Sequence, residues 1–264
     1  MRKKTHYIKA IMLSFCWIFI ISVQAQKEKQ RTYQGKKENL HVYLLIGQSN
    51  MAGRAPFSEN EATVIPRCFL LNGKDSWEPA KNPLNIYSTI RKGAGMQKLN
   101  PGYSFSLEML KKHKDISLGL VVNAKGGTKI EQWKKDTRFY KEAVRRTQEA
   151  QKSGTLKGIL WHQGESNSGN PDGYLEKLKD LITSLRKDLD APDLPFIAGQ
   201  VNKVPKINAQ IAKLPKKVSH TAFVSSKDLK TIDRWHFNQQ SIHLLGKQYA
   251  IEMLTLRLKA DKKR

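Results

Sequence analysis

Five short apolar runs punctuate the chain, at residues 42–46, 118–122, 159–161, 196–198 and 222–224. Each is partly β-branched or aromatic and is bounded by Gly, Asn, Pro or charge, the pattern of a buried strand. Between them, residues 104–112, 139–152, 174–188 and 239–258 repeat their apolar positions with helical period. Strands alternating with helices predict an α/β domain whose mostly parallel sheet is covered on both faces, with ligands at the carboxyl ends of its strands. The intervening stretch 54–99 holds little periodic pattern, and 202–217 lies between the last two apolar runs. They read as loops beside such a site, the first rich in Pro, Gly and Asn.

The first residues follow a different rule. Arg2, Lys3, Lys4 and Lys9 precede the apolar segment 11–23, and Val23-Gln24-Ala25 offers a small-x-small cleavage site. Residues 1–25 therefore read as a signal peptide, the alternative being a retained N-terminal anchor, and the mature chain is expected to be secreted or periplasmic. Residues 26–39 are polar and Lys-rich, a flexible leader. Residues 40–258 form the expected domain and 259–264 a basic tail. No other stretch is long and apolar enough to cross a bilayer. Of the two cysteines, Cys16 would leave with the signal peptide. Cys68, beside Phe69, Leu70 and Leu71, is left as a buried small hydrophobe with no disulfide partner.

Charge changes the picture less than its size implies. The chain carries 47 Lys and Arg against 23 Asp and Glu, a formal +24. Lys outnumbers Arg by 35 to 12, and the lysines are scattered rather than interleaved with aromatics in one cluster. A specific nucleic-acid partner is not expected. Anionic glycans or membrane surfaces outside the cell account for the balance equally well.

The candidate chemistry sits at strand ends. Gly47-Gln48-Ser49-Asn50-Met51-Ala52-Gly53 follows the first apolar run, and Asp233-Arg234-Trp235-His236-Phe237-Asn238 precedes the last helix. A serine hydroxyl is a poor nucleophile until a base takes its proton, and His236 oriented by Asp233 supplies that base. Asn123-Ala124-Lys125-Gly126-Gly127-Thr128 and Trp161-His162-Gln163-Gly164-Glu165 follow the second and third runs. Taken singly, each has a plain reading: Ser49 a helix cap, the glycine pair a turn, His162 to Glu165 a capping network. Met51 stands where an α/β-hydrolase elbow needs Gly, and His162 with Glu165 does not make a metal set.

In this order, the four segments resemble the SGNH/GDSL hydrolase superfamily, and within it the sialate O-acetylesterase and acetylxylan esterase branch. The resemblance implies a three-layer α/β/α sandwich around a five-stranded flavodoxin-like sheet. It implies release of acetate from acetylated oligo- or polysaccharides without metal or organic cofactor. Ser49 would be the nucleophile, His236 the base and Asp233 its orienting acid. The oxyanion hole would comprise the Ser49 and Gly127 N–H groups and the Gln163 side chain, with Gln48, Asn50, Gly126 and Glu165 in support. Arg54, just after the nucleophile motif, is a candidate contact for a substrate carboxylate or for a structural acid. A glycan-binding protein on the same fold that has lost catalysis is the alternative from another class.

Overall fold

The computed structural model describes residues 32–261, so the expected signal peptide lies outside the described residues. A compact unit opens at Gly35, and residues 37–39 make a single 3-10 turn before the first strand, so the end of the expected leader already belongs to the fold. Seven strands follow: β1 (Leu40–Gly47), β2 (Cys68–Leu71), β3 (Trp77–Pro79), β4 (Ser117–Val122), β5 (Thr155–His162), β6 (Phe196–Gly199) and β7 (Thr221–Val224). The helices are α1 (Ser49–Ala52), α2 (Gly102–Lys112), α3 (Arg138–Ser153), α4 (Tyr174–Asp188), α5 (Pro205–Lys217) and α6 (Gln239–Asp261).

The sheet runs β3-β2-β4-β1-β5-β6-β7, parallel throughout except for β3 against β2. Its five expected strands, β4-β1-β5-β6-β7, keep the flavodoxin-like order 2-1-3-4-5, so the chain reverses direction across the sheet between β1 and β5. All eight residues of β1 are buried, as a central parallel strand covered on both faces requires.

Three expectations are corrected here. The sheet has seven strands rather than five, because residues 54–99 hold β2 and β3. β3 is three residues long and ends in Pro79, which is tolerated because β3 is the sheet's edge. The stretch 202–217 is not a loop but contains α5, whose Pro205 occupies the first turn where no N–H is needed. Pro215 falls in its last turn, so the helix reaches Lys217 before the chain turns into β7. The last helix also runs past residue 258, carrying the start of the basic tail to Asp261.

Tyr43 and Leu45 of β1 share one core with Phe105 and Met109 of α2 and with Ile242, Leu245, Tyr249 and Met253 of α6. These two helices approach closely at Gly246. A Cβ there would lie 2.2 Å from Ser104 Oγ and 2.3 Å from Pro101 O. Helix propensity favours Ala over Gly by about 1 kcal/mol. Overpacking a closed contact costs about 1–3 kcal/mol, so Gly246→Ala is expected to lower the midpoint of urea unfolding rather than raise it. Cys68 is buried, and burial pushes its thiol up to about 12, leaving it inert.

Candidate active site

The reversal between β1 and β5 gathers the motifs. Gly47 pairs with His162 across the two strands, and the next residue, Gln48, donates its N–H to His162 O at 2.8 Å. The segment after β4 is drawn alongside, with Asn123 N–H on Leu45 O (2.9 Å) and Lys125 N–H on Gly47 O (3.1 Å). A cleft of about 390 Å³ opens there. Ser49, Gly126, Gly127, Glu165 and His236 line it, with Gln48 and Arg54. A larger groove of about 480 Å³ beside β7 and α6 contains none of these groups.

Asp233 builds the turn that presents His236. Its Oδ1 accepts the Trp235 and His236 N–H groups, both at 2.8 Å, while Oδ2 lies 2.6 Å from His236 Nδ1. Burial raises the Asp233 pKa, but the bonds from the His236 ring and from the two backbone N–H groups outweigh it and hold the carboxyl below its ordinary value. An ionised carboxylate on Nδ1 fixes the proton there and leaves Nε2 as the basic nitrogen. Ser49 opens α1 and is 6% exposed. A Cβ on Gly126 would come within 3.4 Å of the Ser49 Cβ, an ordinary contact, and 2.7 Å of an Arg54 guanidinium nitrogen, so this backbone lies against Ser49 and Arg54.

Asn50 connects the parts. Its Nδ2 donates to Glu165 Oε1 at 2.8 Å and to Trp235 O at 3.1 Å, and its Oδ1 accepts the Phe237 N–H at 3.1 Å. Gln48 Oε1 accepts from Gln163 Nε2 (3.1 Å) and from the N–H groups of Gly164 and Ser166 (both 3.3 Å).

Gln163 departs from its expected place. It is fully buried and absent from the cleft lining, and its Nε2 faces three acceptors: Gln48 Oε1, Thr128 O (2.9 Å) and Asn167 Oδ1 (2.8 Å). An amide has two N–H bonds, so none is left for an oxyanion. Glu165 Oε1 accepts from Asn50, and burial pushes its carboxyl up to about 7.

The cleft also has walls that sequence reasoning missed: Lys92, Met96, Ser166 and Trp235. Trp235, stacked against the Arg234 guanidinium at 4.5 Å, lies inside the motif that carries His236. Lys92 and Met96 come from an irregular segment with no local signal. It is fastened to the 123–127 turn by Asn85 and Ser88, which both donate to Ala124 O.

His162 is fully buried, with Nδ1 3.2 Å from Tyr249 Oη and Nε2 unpartnered. Burial lowers its pKa from 6.5 to about 3. A depressed folded-state value means that its share of stability is present above pH 6.5 and is lost as pH falls toward 3. Between pH 7 and 4.5 the native protein is expected to lose about 2–3 kcal/mol more than His162→Asn in urea unfolding. Equal losses would overturn this. Among the described residues, no group of three or more His, Cys, Asp or Glu stands where a metal ion is held.

Residues 39–255 match a family model described as carbohydrate esterase, sialic acid-specific acetylesterase. The chain is 30% identical over 233 residues to a probable carbohydrate esterase of Arabidopsis thaliana, spanning 78% of this chain and 86% of that protein. The solved structure of a protein from Arabidopsis thaliana superposes with a TM-score of 0.75 at 27% identity, over 83% of this chain and 98% of the other. A carbohydrate acetylesterase from Xanthomonas citri shares the fold, with a TM-score of 0.60 at 16% identity over 80% of this chain and 55% of that one. Fold and family match together define a carbohydrate esterase of the SGNH type. The chain belongs to the carbohydrate esterase, sialic acid-specific acetylesterase family.

Proposed function

We propose that this protein is an exported serine O-acetylesterase that removes acetyl groups from sugars by a Ser49-His236-Asp233 acyl-enzyme mechanism. The observation that carries the reading is the one cleft lined by both Ser49 and His236, with Asp233 Oδ2 2.6 Å from His236 Nδ1. Ser49 Oγ attacks the acetyl carbonyl while His236 Nε2 takes its proton. The oxyanion is held by the Ser49 N–H, which at the start of a helical turn has no intrahelical acceptor, and by the Gly127 N–H. The tetrahedral intermediate collapses as His236 protonates the departing sugar oxygen. Water then attacks the acetyl-serine by the same route and acetate leaves. No metal or organic cofactor is required. Gln163 serves as a tie between the strand-end segments.

The favoured substrate is an O-acetylated acidic sugar. Arg54 is half-buried in the cleft wall and its Nη1 donates to Gly53 O (2.6 Å) and Met96 O (2.8 Å). Among the described residues no carboxylate pairs with it, and burial lowers its pKa. A guanidinium held in this way is repaid by a ligand carboxylate and not by a neutral xylose ring. The test is acetate release from a panel of acetylated acidic and neutral sugars. The kcat/KM for acidic sugars is expected to be about tenfold higher or more, about 1.4 kcal/mol of discrimination. Arg54→Gln should erase that preference through KM while leaving p-nitrophenyl acetate nearly untouched. Equal rates on both sugar classes remove the acidic-sugar reading, and no acetate from any sugar removes the function.

A further inference from the structure

We propose that Glu165 is a positioning residue for this reaction, acting through Asn50 to hold His236 in place over Ser49. The inference rests on the assignment of Ser49 and His236 as nucleophile and base.

The residues on either side of the nucleophile grip the segment that carries Glu165. Gln48 Oε1 accepts the N–H groups of Gly164 and Ser166, the neighbours of Glu165 in the chain. Asn50 Nδ2 then takes Glu165 Oε1 as an acceptor at 2.8 Å. The other hydrogen-bonding groups of Asn50 fall on the neighbours of His236, Trp235 O and Phe237 N–H. One amide, adjacent to the attacking serine, therefore brackets the backbone of the base on both sides.

An Asn side chain is nearly symmetric in shape, so it can turn over within its site. Turned over, it would set oxygen against Trp235 O and NH₂ against the Phe237 N–H, two repulsive contacts in a buried setting. An acceptor at Glu165 Oε1 opposes that rotation, because it too would then face oxygen. The imidazole Nδ1 belongs to Asp233, which is half-exposed, and the turn is also held from another segment by Asn202 Nδ2, which donates to Arg234 O at 2.9 Å. Without the Asn50 bracket, the 233–238 turn could shift by a fraction of an ångström, enough to misalign a proton transfer.

The location is costly for a carboxyl. Glu165 is 5% exposed and its Oε2 has no partner. Burying an acid with one oxygen unsatisfied works against stability. Holding the loop alone does not need one, because Gln48 already binds the backbone on both sides of it.

The test is steady-state kinetics on p-nitrophenyl acetate and on an acetylated sugar, with active sites counted by titration with a serine-reactive phosphonate. Glu165→Ala is expected to lower kcat per titrated site by about 30–100-fold with KM changed less than about twofold on both substrates. Glu165→Gln, whose Oε1 accepts the same bond, should recover to within about fivefold of the native rate. Asn50→Ala should cost about as much as Glu165→Ala, and the double variant no more than the worse single, the signature of one shared path. If Glu165→Ala does not fold, Glu165→Leu, which fills the volume without an acceptor, takes its place. A native kcat per site in Glu165→Ala or Glu165→Leu, a Glu165→Gln no better than either, or a loss confined to KM would overturn the proposal. Activity remaining in Ser49→Ala sinks the parent assignment; a dead Ser49→Ala beside an intact Glu165→Ala sinks this inference alone.

Discussion

Ser49→Ala is expected to abolish acetate release, with a fall in kcat on the order of 10⁵-fold and little change in KM or melting temperature. In the proposed mechanism the Ser49 hydroxyl oxygen forms the acyl-enzyme, and no neighbouring group can substitute for it. Among the described residues the ties of this region run through Gln48 and Asn50 rather than through the Ser49 hydroxyl. Its loss should therefore fall almost wholly on the chemical step. The residual rate would come from Gly127, the serine's own N–H and substrate binding. Acetate release by the purified variant, checked against an unchanged circular dichroism spectrum, measures this. Activity within tenfold of native would withdraw the nucleophile assignment.

Asp233→Asn makes the companion case, because it separates building the turn from tuning the base. An Asn at 233 can still accept the Trp235 and His236 N–H groups through one oxygen, so the turn should survive. Its NH₂ would then face His236 Nδ1, which must accept, driving the proton to Nε2, where it blocks the abstraction from Ser49. Placing the wrong tautomer costs about 10⁴ where the acid is buried. Here the carboxylate is half-exposed and water screens it, so a fall of roughly 10²–10³ is expected at pH 7. A fall as large as that of Ser49→Ala would instead mean that the turn had collapsed, visible as a lowered melting temperature.

The fold was legible where burial and period coincide. Residues 42–46 and 118–122 are central strands whose side chains face protein on both sides, so their sequences are apolar without interruption. β2 and β3 were illegible because they are short, β3 ends in Pro79, and what makes them strands is pairing with β4 and with each other, a long-range fact. α5 was hidden by two prolines that sequence patterning treats as breakers but that fall in its first and last turns. The site divides in the same way. Asp233 and His236 are three residues apart, and one turn suffices to join them. Asn50 meets Phe237 across 187 positions, and nothing local announces it. The charge likewise has a structural share that composition conceals. Arg67, Arg146 and Arg186 each donate to backbone carbonyls at the ends of elements, work that uses the guanidinium fork, with Asp75 also 3.8 Å from Arg146.

Gly47→Ala is expected to be the most damaging change to stability among the residues that position Ser49. Gly47 has φ of 136°, a conformation an L side chain rarely adopts, and a Cβ there would lie 2.2 Å from His162 O and 2.7 Å from His162 C. The obstacle is backbone of the adjacent central strand rather than the end of a flexible side chain, so β1 and β5 would have to separate. That separation breaks the Gln48 N–H bond to His162 O, one of the contacts that set the cleft. Strain of about 1–3 kcal/mol at the residue adds to the lost contacts, for a total above about 4 kcal/mol. In a domain with a stability of about 5–15 kcal/mol, that removes much of the margin. Gly47→Ala should thus be recovered mostly insoluble, or with a melting temperature lowered by more than about 10 °C for a domain of this size. Its soluble fraction should be nearly inactive, because the strand end that aims Ser49 has moved. Gly93, with nothing within 4 Å of its Cβ position, is the control and should accept Ala with little change in melting temperature. A Gly47→Ala protein that melts like the native one would mean that β1 and β5 do not close on each other as tightly as their register requires.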